Sequence, residues 1–223
     1  MSLSHAVPNT VEPILFEAVK VFLIERGFRC SGTKYVMRGW MAPDKNTHME
    51  FTIIRKNYAV EWLYEIHFSI NWLDIFRLYA LSEGALDVKN WKKYAVIATG
   101  TPRRDVNKKW DRNIFKFSKV SDVDRLVDSV CGIIDDVAEP FFRKWKAYIN
   151  LKEEFYRHTD AARSVTLTPS TLSAVAIAIA AIHDRDRVEE IIQVQREFVG
   201  GFEGRNVERI ENYVSELRSR GLI

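Results

Sequence analysis

Four side chains in the first third of the chain have the types and spacing that could do chemistry. His48 and Glu50 lie two residues apart, and so do Glu65 and His67. Each pair sits in a stretch where polar and apolar residues alternate. Met49, Phe51 and Ile53 alternate with His48, Glu50 and Thr52; Trp62, Tyr64, Ile66, Phe68, Ile70 and Trp72 alternate with mostly polar residues. Alternation of this kind reads as two half-buried strands, which place all four polar side chains on one face. Folded as a hairpin around Lys56, Asn57 and Tyr58, they bring imidazole and carboxylate together. A four-residue loop opposes His48 to His67 and Glu50 to Glu65, and a two-residue loop opposes His48 to Glu65. Two histidines and a carboxylate form an acceptable set of zinc ligands, so His48, Glu50, Glu65 and His67 are the metal or acid–base candidates. No short-spaced ligand motif such as H-E-x-x-H accompanies them, and an ordinary solvated sheet face accounts for the same residues.

The second constellation is the basic stretch Gly100 to Arg112. It carries Arg103, Arg104, Lys108, Lys109 and Arg112 around Trp110, with Lys116 and Lys119 just beyond. Cations there would neutralise phosphates while the indole stacks on a base, which is nucleic-acid chemistry. Asp105 and Asp111 interrupt the charge, and no known nucleic-acid-binding signature surrounds it. A charged loop is also what a solvated surface looks like.

Other signatures are missing. The chain has no glycine-rich phosphate loop after a strand, no G-x-S-x-G and no C-x-x-C, so no catalytic residue and no cofactor is assigned. Gly200, Gly201 and Gly204 follow a helical stretch and read as a helix stop. His5, His158 and His183 are isolated. Trp40, Trp62, Trp72 and Trp91 suit an aromatic core better than a ligand pocket. Two cysteines, Cys30 and Cys131, make no disulfide framework, and Cys131 reads as a buried free thiol.

The bulk properties narrow the class. A net charge of +3 over 223 residues implies by itself neither a nucleic-acid nor a membrane partner. The most apolar run, Leu172 to Ile182, is about half the length that spans a bilayer. No secretory signal opens the chain, so the expected location is cytoplasmic.

The elements that must position these residues follow from periodicity. Val11 to Phe28 reads as a helix, with Ile14, Leu15, Ala18, Val19, Phe22 and Leu23 as its apolar stripe and Gly27 as its stop. Strands are expected at Thr33–Met41, Thr47–Arg55, Glu61–Trp72, Tyr94–Thr99 and Asn113–Phe117, with a short helix at Ile75–Leu81. Ser121 to Lys146 carries the strongest helix pattern: Val123, Leu126, Val127, Val130, Ile133, Ile134, Val137 and Phe141 recur every three or four residues. Pro140 lacks the amide hydrogen that the helix ladder needs and should bend it. Past about Tyr148 strands disappear. Thr168-Pro169 opens a helix to about His183, a turn at Asp184–Asp186 leads to a second helix ending near Val199, and Asn206 caps a last one.

The order of several short motifs resembles a known group. An N-terminal helix ends in Gly27-Phe28, and a K-Y-V-M-R strand follows. The hairpin closes in F-S-I-N, a W-x-x-x-I-F segment spans Trp110 to Phe115, and a helix closes with A-E-P-F-F. Over residues 8 to 147 the chain resembles the bacterial Domain of Unknown Function 4304 family. The resemblance implies an α+β fold and a bacterial source, and it carries over no catalytic or binding residue. The expected architecture is therefore α+β: an antiparallel sheet of about five strands packed on one face by two long helices (domain 8–148), followed by an all-helical subdomain (149–223). The expected function is a non-enzymatic protein-interaction module of adaptor or inhibitor type, whose partner is another protein. The alternatives are nucleic-acid binding through residues 103–112 and a metal-dependent hydrolase on the 47–72 hairpin.

Overall fold

The computed structural model describes residues 6–33, 35–57, 62–82, 98–100, 114–117, 121, 123–165, 168–202 and 204–223. The fold is α+β, as the sequence predicts. It divides into two compact units, each discontinuous along the chain: residues 1–43, 48–69 and 100–143 form the first, and residues 44–47, 70–99 and 144–223 the second.

In the first unit, α1 (Ala6–Glu25) leads into strands β1 (Arg29–Gly32), β2 (Val36–Met41), β3 (Thr47–Asn57) and β4 (Trp62–Trp72). The described strands of the sheet run in the order β1-β2-β3-β4-β5, with β5 at Ala98–Gly100, and β6 (Ile114–Phe117) also pairs with β4. Between α1 and β1 the chain reverses through Gly27, at φ 84°. The Gly27 N–H donates to Ile24 O and the Phe28 N–H to Leu23 O, at 2.9 and 3.0 Å. This left-handed closure satisfies the last carbonyls of the helix, and glycine reaches it without steric cost.

The alternation predicted for β3 and β4 is realised. Met49, Phe51, Ile53, Tyr64, Ile66, Phe68, Ile70 and Trp72 are all buried. The turn between these strands, residues 58–61, lies outside the described residues. β1 is absent from the sequence reading, which began its first strand at Thr33. Its residues, R-C-S-G, are mostly exposed and carry no alternation to detect. Gly39, opposite Phe51 on the buried face, lets α1 come close: a Cβ there would lie 2.7 Å from Leu23 Cδ1.

The long helix predicted at Ser121–Lys146 forms in three pieces: α3 (Val123–Ile133), a π-helical turn (Ile134–Ala138) and α4 (Glu139–Lys146). Pro140 explains the interruption. It has no N–H for the carbonyl four residues back, and its ring would collide with that carbonyl. The turn widens instead, the Glu139 N–H donating to Ile134 O, and proline then falls in the first turn of the restarted helix. The extra residue shifts the buried stripe. Up to Val137 the buried residues are the predicted ones except Val127, which is half-buried; beyond, Ala138, Phe142 and Trp145 are buried and the predicted Phe141 is half-buried, its ring 5.0 Å from Phe68. Phe142 packs against Phe28 and Phe68, at ring centroids of 5.9 and 6.2 Å.

The second unit is built on α7 (Pro169–His183). Every residue from Ser170 to Ala181 is buried, which makes α7 a core element with no polar face. Thr168 caps it, Oγ1 accepting from the Thr171 N–H at 3.1 Å, and Pro169 opens it as predicted. Its alanines let α2 (Leu73–Ser82), α5 (Lys152–Tyr156), α8 (Val188–Gly200) and α9 (Gly204–Ser219) approach closely. α6 (Asp160–Val165) packs on α5 and α7. The unit therefore takes in α2 together with the C-terminal helices. Trp72 packs within this unit against Trp145 and Tyr148 at tilted angles and edge-on to Phe155, and its indole N–H donates to Trp145 O at 3.0 Å. Asn206 is not a cap, because α9 begins two residues earlier. Among the described residues no helix is long and apolar enough to cross a membrane.

Candidate functional site

The hairpin polar face comes first, because the sequence places a metal there. The structure brings Glu65 and His67 together, with Nε2 3.2 Å from Oε2. It does not gather all four. Glu50 accepts from Thr52 Oγ1 at 2.9 Å and lies 3.8 Å from the Arg38 guanidinium. The reason is β2, which flanks β3 on the side away from β4. In that register Trp40 faces Glu50 and Arg38 faces Thr52, so a cation from β2 competes for the carboxylate. Among the described residues no group of three or more His, Cys, Asp and Glu is placed to hold a metal ion. Of His48, Glu50, Glu65 and His67, the structure pairs Glu65 with His67 and turns Glu50 toward Arg38, a neighbour on β2 that the hairpin pattern does not show. Arg103, Arg104, Lys108, Lys109, Trp110 and Arg112 lie outside the described residues.

Three polar clusters have no signal in the sequence. In the first unit Glu12, on α1, meets Arg55, on β3, at 2.8 Å, with side chains 5% and 8% exposed. Tyr64 Oη lies 3.5 Å from the same carboxylate, and the Arg55 guanidinium covers the Tyr35 ring at 4.3 Å. Burial first, and the Glu12 charge second, push the Tyr64 hydroxyl well above its usual range. It stays a neutral donor.

In the second unit the C-terminal end of α7 collects two more. Tyr148 Oη lies 2.7 Å from both Asp74 Oδ2 and His183 Nε2. Tyr148 donates to Asp74, so its oxygen accepts the hydrogen bond from His183 Nε2. Beside it, Asp184 accepts from Lys152 Nζ and from Tyr156 Oη, the latter at 2.7 Å. Burial alone would raise the Asp184 carboxyl, but the hydrogen bonds from Lys152 and Tyr156 and the nearby cations outweigh it and hold it below the usual range. Tyr148 and Tyr156 are pushed far up by burial and by their carboxylate partners. Both serve as fixed donors rather than bases. These groups fasten α5 and the 3₁₀ turn Tyr148–Leu151 to α2 and α7. Their members are tens of residues apart, so no local spacing announces them. Cys131 fits neither cluster; burial and then Asp135 push its thiol up to about 11, which leaves it a poor nucleophile.

The remaining unusual surface is on α1. Leu15, Val19 and Leu23 are fully buried, yet Ile14, Val21 and Ile24 are 44, 48 and 50% exposed. At seven- and three-residue steps these three share one side of the helix, opposite its buried stripe. Glu17 lies among them, paired with Lys20 at 3.2 Å. An amphipathic surface helix would put polar residues there. Sequence reading assigned Ile14 to the buried stripe; the signal it passed over is that α1 is apolar on both sides.

Fold and sites together define an α+β protein with buried polar anchors in each unit and an apolar helix face open to solvent. Comparison with family models, curated proteins and solved structures finds no match for the chain.

Proposed function

We propose that the chain is a non-enzymatic protein-interaction module of adaptor or inhibitor type, and that the outer face of α1 is where it binds. The observation behind this reading is the exposed row Ile14, Val21 and Ile24. Large aliphatics left half-exposed along one side of a helix are the kind of surface that partner proteins cover. Ten residues of helix make the row about 15 Å long, the scale on which a partner helix lays its anchors in a groove. Glu17 and Lys20 add one charge of each sign beside it. The partner is a separate protein presenting an apolar helix or strand with charges of opposite sense at its rim. The two clusters at the end of α7 and the Glu12–Arg55 pair are internal anchors in this account.

The test is capture from cell lysate, with and without nuclease, by the intact chain and by Ile14→Ser/Val21→Ser/Ile24→Ser. The expected result is one protein retained by the intact chain in both conditions and lost with the triple variant, whose circular dichroism is unchanged. Retention by the triple variant equal to that of the intact chain would remove α1 as the binding face. Loss of the protein on nuclease treatment would instead favour the basic stretch 103–112.

A further inference from the structure

Among the described residues, His158 is the one non-glycine residue with positive φ, at 54°. It closes α5: its N–H donates to Phe155 O at 3.3 Å, and the Thr159 N–H to Glu154 O at 3.1 Å. The same closure at α1 uses Gly27, and at α9 it uses Gly221, at φ 65°. A side chain in the left-handed region carries a steric cost that glycine avoids. Interactions of the imidazole itself must offset that cost.

They are specific. His158 is 8% exposed, and its ring lies flat on Phe198 of α8, with centroids 3.7 Å apart and planes 9° apart. Nε2 is 2.6 Å from Gln195 Oε1, and Gln195 is fully buried. The Gln195 amide N–H donates to Tyr156 O at 3.3 Å, which orients its oxygen toward the ring. His158 Nε2 must therefore be the donor, and in the neutral imidazole Nδ1 carries no proton. A second proton would go to Nδ1.

The charges around the ring do not favour that proton. α8 faces it with the neutral Gln195 and Phe198. α6 brings the cation of Arg163, 5.5 Å above the Phe198 ring. On α5, Glu154 is engaged by the Thr159 hydroxyl, and α7 has no titratable side chain before His183. Stacking on Phe198 favours a cation. Burial opposes it, and the balance leaves the imidazole easier to keep neutral than in water: burial lowers its pKa, the Gln195 hydrogen bond partly restores it, and Arg163 lowers it again.

We propose that His158 is an acid-sensitive latch, held to α8 through Gln195 and Phe198, whose protonation loosens residues 157–165, the closing turn of α5 together with α6. The sign follows from linkage. The folded protein holds this histidine below its unfolded value of about 6.5, so its contribution is complete above that pH and is lost as pH falls from there through the folded value.

Hydrogen exchange of the whole chain at pH 5.0 and 7.5, corrected for intrinsic exchange, tests this, alongside His158→Asn and Gln195→Glu. Asparagine tolerates positive φ and does not titrate. In the wild type, opening of residues 157–165 should increase by up to about tenfold per pH unit below 6.5, while α9 stays protected. His158→Asn should show no such acid dependence. Gln195→Glu, which sets a carboxylate beside Nε2, should be at least as protected at pH 5.0 as at pH 7.5. Equal wild-type protection at both pH values, or the same acid loss in His158→Asn, would overturn the proposal. An NMR titration of the wild-type imidazole gives an independent check: a midpoint at or above 6.5 overturns it, and one below supports it.

Discussion

Replacing Glu12 by Leu tests how the first unit is held together. Glu12 and Arg55 join α1 to β3 through a 2.8 Å contact with both side chains more than nine-tenths buried. Surface ion pairs contribute about 0–1 kcal/mol because water screens each partner. Here water is excluded, and Glu12 is the one acidic partner of Arg55 among the described residues. Removing it strands a guanidinium that already has a buried Nε without a hydrogen-bond partner. Breaking a buried pair in this way costs about 3–5 kcal/mol, most of it for the orphaned charge. The lost contact with Tyr64 adds little, because 3.5 Å is a weak hydrogen bond. Arg55→Met should also destabilise, by removing the cation that faces the buried carboxylate. The double variant Glu12→Leu/Arg55→Met leaves no charge behind and should be near wild type or more stable. Urea denaturation reads all four proteins. With a slope of about 2 kcal/mol/M, Glu12→Leu should lower the midpoint by about 1.5–2.5 M, and the double variant should recover most of it. A Glu12→Leu loss under about 1 kcal/mol, or a double variant as unstable as the sum of the two, would refute the reasoning and mean that the pair is hydrated.

Gly39→Ala should cost about 1–3 kcal/mol by overpacking, because the new methyl meets Leu23 Cδ1 at 2.7 Å; Leu23→Val in the same chain should recover part of it in thermal unfolding. Asp184→Asn removes the acceptor shared by Lys152 and Tyr156 and should cost about 1.5–3 kcal/mol at pH 7. Its carboxyl is held below the usual range, so this contribution is present above about pH 4 and fades as pH falls below it; urea midpoints at pH 7 and pH 3 that differ from wild type equally would contradict this. Cys131, with a thiol at about 11 against an ordinary 9.0, should have about a hundredfold less thiolate at pH 8 than a free cysteine. Iodoacetamide labelling followed by mass spectrometry should find it correspondingly slow, and labelling at the rate of a model thiol would contradict the burial assigned to it.

Much of the fold is legible in the sequence because it is written in local periodicity. The alternation through β3 and β4, the stripe of α3 up to Val137, the glycine stop at Gly27 and the Thr168-Pro169 start of α7 each depend on residues within a few positions of one another. One-dimensional patterns report which side of an element is apolar, and burial follows from that. They fail where the outcome depends on a neighbour distant in sequence. β1 has no pattern of its own and exists because β2 pairs with it. Phe142 joins Phe141 against Phe68 and becomes the more deeply buried of the two because Pro140 forces a wider turn, which rotates everything after it. Glu50 turns to Arg38 because β2 lies beside β3, a neighbour that the hairpin pattern does not show. α2 belongs with the C-terminal helices because α7 is apolar all round and needs covering on every side. The Glu12–Arg55 pair, the Asp74–Tyr148–His183 chain and the His158–Gln195 contact join residues that no spacing rule connects. The sequence by itself determined which segments would be helix or strand and which of their sides would avoid water. Only the tertiary structure decided which polar groups met inside, since hydrogen bonds and ion pairs are fixed by distance and burial rather than by order along the chain.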